Sequence, residues 1–283
     1  MTRQRVAIRA GADQFEIEVA WVGAAGPQGA ATQGAGTQAP LMVFLHEGLG
    51  SVAMWKDFPA RLCAACGVRG LVYSRPGYGG STPRPASQRW TTDFMHRQAE
   101  QVLPALLDAL EIGGRYLLFG HSDGGSIALI HAAHRPERVA GAIVLAPHIL
   151  VEEFGLVSIR QARDSYRTGD LRPRLARFHD DVDSAFWGWN DIWLSPEFLT
   201  WRLDAELGRI RCPVLAIQGV GDPYGTMAQI DGIVARVPGT TCLKLEACGH
   251  APHRDQPDAV IAASASFCAA ITGISTGRTW RPD

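Results

Sequence analysis

No stretch of the chain approaches the roughly 20 consecutive apolar residues that a membrane-spanning helix requires. The most apolar run, Val139 to Val151, is broken by Pro147 and His148, which argues against a transmembrane anchor and a membrane partner. The N-terminus, Met1 to Arg9, carries charge but no apolar segment that could serve as a signal-peptide core, so a cytoplasmic protein is expected. Neither sign of charge is in excess: 27 Lys and Arg stand against 28 Asp and Glu, a formal net charge of -1. Nothing in that balance draws polyanions, and no nucleic-acid partner is expected. The six cysteines are scattered, and the single C-x-x-C, Cys63 to Cys66, has no second pair to complete a zinc site. Buried thiols are expected, with no metal and no cofactor. A repeat of fixed period is also missing.

What is present is enough for one catalytic-sized domain. At 283 residues, 46% hydrophobic and 19% charged, the chain can bury a full core. Residues 6–10 and 15–21 alternate apolar and polar side chains about Gly11-Ala12-Asp13, which predicts an antiparallel hairpin at a sheet edge. Residues 23–40 are rich in Gly, Ala, Gln and Thr without periodicity and read as a flexible loop. From Leu41 onward short apolar runs alternate with amphipathic segments. Strands are predicted at 41–45, 70–74, 116–120, 139–145, 213–218 and 241–245, and helices at 55–66, 92–111, 124–134, 226–237 and 257–271. That rhythm implies an α/β fold with a mostly parallel sheet flanked by helices. Between Pro147 and Arg211 the strand signal vanishes. Residues 148–208 are therefore read as a helical cap inserted late in the sheet, and 1–147 with 209–283 as the core domain.

Tyr116-Leu117-Leu118-Phe119 is followed at once by Gly120-His121-Ser122-Asp123-Gly124-Gly125 and then by an apolar helix. A strand, a sharp turn and a helix are the context that G-x-S-x-G requires of a nucleophile. In that turn Ser122 would sit at a helix N-terminus, where the dipole and free N–H groups favour developing negative charge. A glycine-rich turn that merely caps a helix is the plainer reading, and the flanking strand and helix count against it.

A serine hydroxyl at neutral pH needs an imidazole to take its proton and a carboxylate to orient that imidazole. After the apolar run Val214 to Gln218 comes Gly219-Val220-Gly221-Asp222, and after Cys242 to Leu245 comes Ala247-Cys248-Gly249-His250. Alone, a loop aspartate reads as a turn former and a single histidine as a surface residue. Placed on loops after successive late strands, in the order Ser, Asp, His, they read as a catalytic triad of Ser122, Asp222 and His250. His253 reads as a surface or supporting residue. The oxyanion of a tetrahedral intermediate needs two N–H donors. These are assigned to Asp123 and, from the Gly-rich loop His46-Glu47-Gly48-Leu49-Gly50-Ser51, to Gly48 with Leu49 as the alternative. Glu47 reads as hydrogen-bonded within its own loop, with a substrate contact as the other option.

These strings resemble those of the α/β-hydrolase superfamily, and the similarity runs from Leu41 to Ile271. His46-Glu47-Gly48-Leu49-Gly50 is similar to the His-Gly-Gly-Pro-Gly loop of prolyl iminopeptidases, Arg75-Pro76-Gly77-Tyr78-Gly79-Gly80-Ser81 to the Asp-x-Pro-Gly-x-Gly-x-Ser loop, and Gly249-His250 to the Gly-His of the base loop. Glu47 stands where many members have Gly, and Arg75 near their usual Asp. The resemblance implies the α/β-hydrolase fold and a serine hydrolase. It points toward carboxylesterases and the lactone, enol-lactone or ring-cleavage-product hydrolases of bacterial aromatic catabolism. Serine at the elbow argues against the haloalkane dehalogenases and epoxide hydrolases, which carry aspartate there.

The expected activity is hydrolysis of a carboxylic ester or lactone of a small, apolar or aromatic substrate. C–C bond hydrolysis, cofactor-free perhydrolysis and a non-catalytic ligand-binding role on the same scaffold are the alternatives. The aromatic stretch Phe186 to Leu194 supplies Trp187 and Trp189 as substrate-wall candidates beside the plainer role of packing cap onto core. His148, which follows a strand on the side facing the cap, is a third candidate. Arg75, Arg160 and Arg163 show no clustering that would mark an anion pocket. A monomer and a homodimer are both left open.

Overall fold

The computed structural model describes residues 3–23 and 39–273; most of the predicted loop at 23–40 lies outside them. Among the described residues eight strands form one sheet: β1 (Arg3–Ala10), β2 (Asp13–Val22), β3 (Leu41–Leu45), β4 (Arg69–Tyr73), β5 (Tyr116–His121), β6 (Val139–Leu145), β7 (Val214–Gly219) and β8 (Thr241–Leu245). Their order across the sheet is β1-β2-β4-β3-β5-β6-β7-β8. The β1–β2 hairpin turns at Gly11, pairs antiparallel from Arg3↔Ala20 to Ala10↔Asp13, and occupies one edge. From β4 to β8 all neighbours are parallel.

Side chains alternate across this sheet, as the two-residue period of a strand demands. Leu41, Val43 and Leu45 face one buried cluster while Met42 and Phe44 face the other. Helices α1 (Phe58–Cys66) and α11 (Pro257–Thr272), the latter preceded by the short α10 (Pro252–Asp255), cover the second face, where α1 and α11 meet each other. Helices α2 (Phe94–Arg97), α3 (Leu103–Ala109), α4 (Asp123–His134) and α9 (Ala228–Arg236) cover the first. Both faces being covered explains why the central strands read as continuous apolar runs.

The single helix expected over 92–111 is interrupted by a π turn at Gln98–Val102. The Ala99 carbonyl in that turn accepts a hydrogen bond from His131 Nδ1 (2.7 Å), and His131 Nε2 accepts from Tyr116 Oη (2.6 Å). The extra residue of a π turn frees carbonyls for such partners. Helical periodicity in the sequence carries no trace of it.

Between β6 and β7 the chain forms α5 (Glu153–Thr168), α6 (Leu171–Leu175), α7 (Val182–Trp193) and α8 (Asp204–Leu207) and, among the described residues, no strand, only the bridge Leu150↔Arg202. Asp181 caps α7 by accepting from Ser184 N at 2.8 Å. Among the described residues no helix is long and apolar enough to cross a membrane.

The carboxyl ends of β3, β5, β6, β7 and β8 thus open toward one rim, where loops of an open α/β sheet converge. At that rim α4 starts directly from β5. Every residue of α4 from Asp123 to Ala133 is buried, so its packing outweighs the poor helix propensity of Gly124 and Gly125. A Cβ on Gly120 would stand 2.3 Å from the Gly124 carbonyl oxygen, and one on Gly124 would stand 2.1 Å from that of Leu45. Both obstacles are backbone and cannot swing aside. Gly124→Ala is therefore expected to cost about 3 kcal/mol or more, read as a loss of soluble protein or a lowered Tm in thermal unfolding.

Candidate active site

Ser122 occupies the turn between β5 and α4 with φ 53° and ψ −122°, a conformation sparsely populated by residues with a side chain. The surroundings hold it there. Ser122 N donates to the Leu145 carbonyl (2.8 Å), and the Ser122 carbonyl accepts from Gly125 N (2.8 Å) and Ser126 N (3.0 Å). The hydroxyl that results lies 2.9 Å from His250 Nε2. His250 reaches it from the loop after β8, and its Nδ1 lies 2.9 and 2.8 Å from the two carboxylate oxygens of Asp222, which follows β7. The Asp222 carboxylate also accepts from Tyr224 N at 2.8 Å. The three side chains, separated by up to 128 residues, form one continuous hydrogen-bonded line.

The charges in that line follow from burial and contact. Burial pushes the Asp222 carboxyl up, but the hydrogen bond and charge of His250 and the Tyr224 N–H outweigh it and hold the group below its ordinary range. Burial pushes His250 down, Asp222 pulls it back up, and the net shift is downward. The imidazole is thus a free base at neutral pH, able to accept the serine proton.

Gly48 lies on the rim of the same cleft, on the loop after β3. A Cβ on it would stand 2.3 Å from Trp189 Nε1, so the close approach of α7 to this loop depends on a glycine. The loop is held from below. The Glu47 carbonyl accepts from Gly50 N (3.0 Å), His46 Nδ1 (2.7 Å) and an Arg75 Nη2 (2.8 Å). His46 Nε2 in turn accepts from Arg75 N (3.0 Å). Arg75 is fully buried, with its guanidinium 4.7 Å from the Tyr78 ring centroid and 3.9 Å from the Asp123 carboxylate. It is a support for the loop, whereas Arg160 pairs with Glu153 and Arg163 with Asn190 and Asp191 away from the cleft. Leu49 turns its side chain to the cleft while its carbonyl accepts from His179 Nε2 at 3.0 Å. The Asp123 amide opens α4, and the Asp123 carboxyl, pushed up to about 6 by burial against the opposing pull of Arg75 and Trp193, accepts from Trp193 Nε1 at 3.2 Å.

The cleft above Ser122 has a volume of about 180 Å³. Leu49, Ile159, Trp189, Trp193 and Tyr224 form its apolar walls, and Glu47, His121, His148 and Arg254 stand at its edges. His148 is fixed by Ser126, whose Oγ accepts from His148 N (3.0 Å) and donates to its carbonyl (2.6 Å). Burial, then the neighbouring His250, push its imidazole down to about 3, so it offers a neutral ring at the cleft. The ring lies edge-to-face on Trp193, 4.8 Å between centroids.

Trp187 is a correction. It does not line the cleft; its ring packs on Tyr166 and Phe186, with Arg167 5.3 Å from its centroid. Trp189 and Trp193 are four residues apart and share one face of α7, while a residue two positions before Trp189 points some 200° around the helix. That spacing points to Trp193 as the partner of Trp189 in the cleft wall. Tyr224 and Arg254 were also missed, because nothing local distinguishes them from ordinary loop residues.

A family model described as "Alpha/beta hydrolase family" matches residues 42–263. Solved structures with a similar fold include an esterase from Thermogutta terrifontis, 19% identical with a TM-score of 0.68 over 96% of this chain and 99% of that one. A carboxylesterase structure from Nitrososphaera gargenis is 18% identical with a TM-score of 0.71, covering 94% and 99%. The enol-lactonase from Burkholderia xenovorans is 20% identical with a TM-score of 0.66, covering 92% and 98%. At these identities the likeness is one of fold.

Proposed function

Because the chain belongs to the alpha/beta hydrolase family, we propose that it is a serine hydrolase that cleaves a carboxylic ester or lactone of a small, apolar or aromatic substrate through an acyl-enzyme. The reading is carried by the line Ser122 Oγ to His250 Nε2 at 2.9 Å and His250 Nδ1 to Asp222 at 2.8 Å. His250 takes the hydroxyl proton as Ser122 Oγ bonds to the carbonyl carbon, and the imidazolium is stabilised by the Asp222 carboxylate. The carbonyl oxygen gains the negative charge and is received by the Gly48 and Asp123 amides. His250 then protonates the leaving alkoxide as the C–O bond breaks. In the second half a water loses its proton to His250, attacks the acyl carbon, and releases the acid and the free serine.

The cleft volume of about 180 Å³ resembles that of apolar cavities of roughly 150 Å³ that accept a single benzene ring, which supports a substrate of about that bulk. Trp189 and Trp193 would flank it, and the neutral His148 ring would offer a hydrogen bond rather than a charge. An organophosphonate is expected to add its phosphonyl group to the peptide containing Ser122, seen by mass spectrometry, and to abolish turnover of short p-nitrophenyl esters and small lactones. Full ester turnover by a fully labelled protein, or labelling elsewhere alone, would overturn the assignment.

A further inference from the structure

Glu47 is a carboxylate in the loop that carries the Gly48 amide, and the acyl-transfer steps leave it without a role. Three donors pin its carbonyl, and its side chain turns inward, 15% exposed, toward His121. His121 ends β5 immediately before Ser122 and is itself buried. Its Nε2 lies 2.6 Å from the His250 carbonyl oxygen and its Nδ1 lies 3.6 Å from Glu47 Oε2. A carbonyl and a carboxylate can only accept. With a proton on Nε2 alone, the Nδ1 lone pair would face a carboxylate in a poorly solvated space, which is repulsive; a second proton turns the contact into an ion pair.

We propose that His121 and Glu47 are a positioning couple, in which an imidazolium held between the Glu47 carboxylate and the His250 carbonyl ties the oxyanion loop to the base loop. The inference rests on the roles given above to Gly48, Ser122 and His250. The couple spans three chain segments that must keep a fixed spacing, since the Gly48 amide and the His250 ring act on one substrate from different loops, and a misplacement of about 1 Å can cost about 100-fold in rate.

The groups facing His121 permit the second proton. The His253 ring stands 4.8 Å away, edge-to-face. Burial first, then His121, hold it well below the usual imidazole range, so it adds no competing charge. The His250 ring, 5.2 Å away, is also a free base before reaction. Arg254 pairs with the other oxygen of Glu47 at 3.2 Å, and the Asp123 carboxylate lies beyond on the elbow. On Glu47 itself burial acts upward but is outweighed by His121 and then Arg254, which hold it well below the ordinary carboxylate range.

The deciding measurement is the side-chain ¹⁵N spectrum of the histidines in the full chain at neutral pH. Both His121 nitrogens are expected to carry protons in the wild type and in Glu47→Asp, and only Nε2 in Glu47→Gln. In ester turnover Glu47→Gln is expected to lower kcat about 10-fold with KM within about twofold. Glu47→Asp should recover most of the rate. A wild-type His121 with an unprotonated Nδ1 overturns the proposal, and so does a Glu47→Gln protein whose spectrum and kcat match the wild type. If Glu47→Gln fails to fold, the wild-type spectrum alone decides. Failure of Ser122 to react with a phosphonate would remove the hydrolase reading without changing the His121 spectrum, which separates the two.

Discussion

Ser122→Ala is expected to lower kcat on p-nitrophenyl esters by about 10⁵- to 10⁶-fold, the loss typical of removing the nucleophile from a triad, with KM little changed. The substitution deletes one oxygen, whose hydrogen-bond partner is His250 Nε2 at 2.9 Å, and leaves untouched the backbone bonds that hold the turn. Alanine tolerates the φ of 53° no worse than serine. Tm should therefore stay within a few degrees of the wild type, and a small rise is consistent with losing a buried hydroxyl. What survives should be the catalysis owed to binding and to the Gly48 and Asp123 amides, about 10³- to 10⁴-fold over water. Undiminished turnover by a folded Ser122→Ala protein would sink the assignment.

Replacing Asp222 by Asn should lower kcat by about 10⁴-fold. The asparagine is nearly isosteric, so the loop after β7 should keep its shape, but the amide can present a donor to His250 Nδ1 and force the proton onto Nε2. That tautomer cannot accept from Ser122. A second effect acts on the pH profile. In the wild type, burial lowers the His250 pKa and the Asp222 hydrogen bond and charge partly restore it. Activity is thus expected to be flat near neutrality and to fall on the acid side with a midpoint below the ordinary imidazole value of about 6.5. Without the carboxylate the restoring contributions vanish, so the acid midpoint of the residual activity should move further down. A midpoint that rises in Asp222→Asn would show that this carboxylate does not contact the catalytic base in solution.

Much of the architecture was legible because it is written in short-range patterns. Apolar runs bounded by glycine located the central strands to within about one residue, and the string around Ser122 described a strand, a turn and a helix. The β1–β2 hairpin was visible in its alternation. Other features left no local mark. The π turn at Gln98–Val102 answers to His131, which lies far along the chain on α4. The cleft is walled by Trp193 and not by Trp187 because of which face of α7 meets the rim, although the four-residue spacing from Trp189 already points to it. Glu47 stands out in the sequence as a charge in a Gly-rich loop, but its partners, His121 and Arg254, come from segments up to 207 residues away.

From its order of residues alone, the chain determined which segments are strands, that β5 runs straight into a turn too tight for anything but glycine around Ser122, and that an aspartate and a histidine follow on later strand-ending loops. Those are properties of neighbouring residues, set by period, propensity and close backbone approach. Only the tertiary structure decided that these loops meet at one rim, which aromatic rings wall the cleft, that a buried arginine supports the loop of Gly48, and that the Glu47 carboxylate turns toward His121. The reason is range: a contact between residues distant in the chain depends on how whole layers pack, and no local pattern encodes that distance or direction.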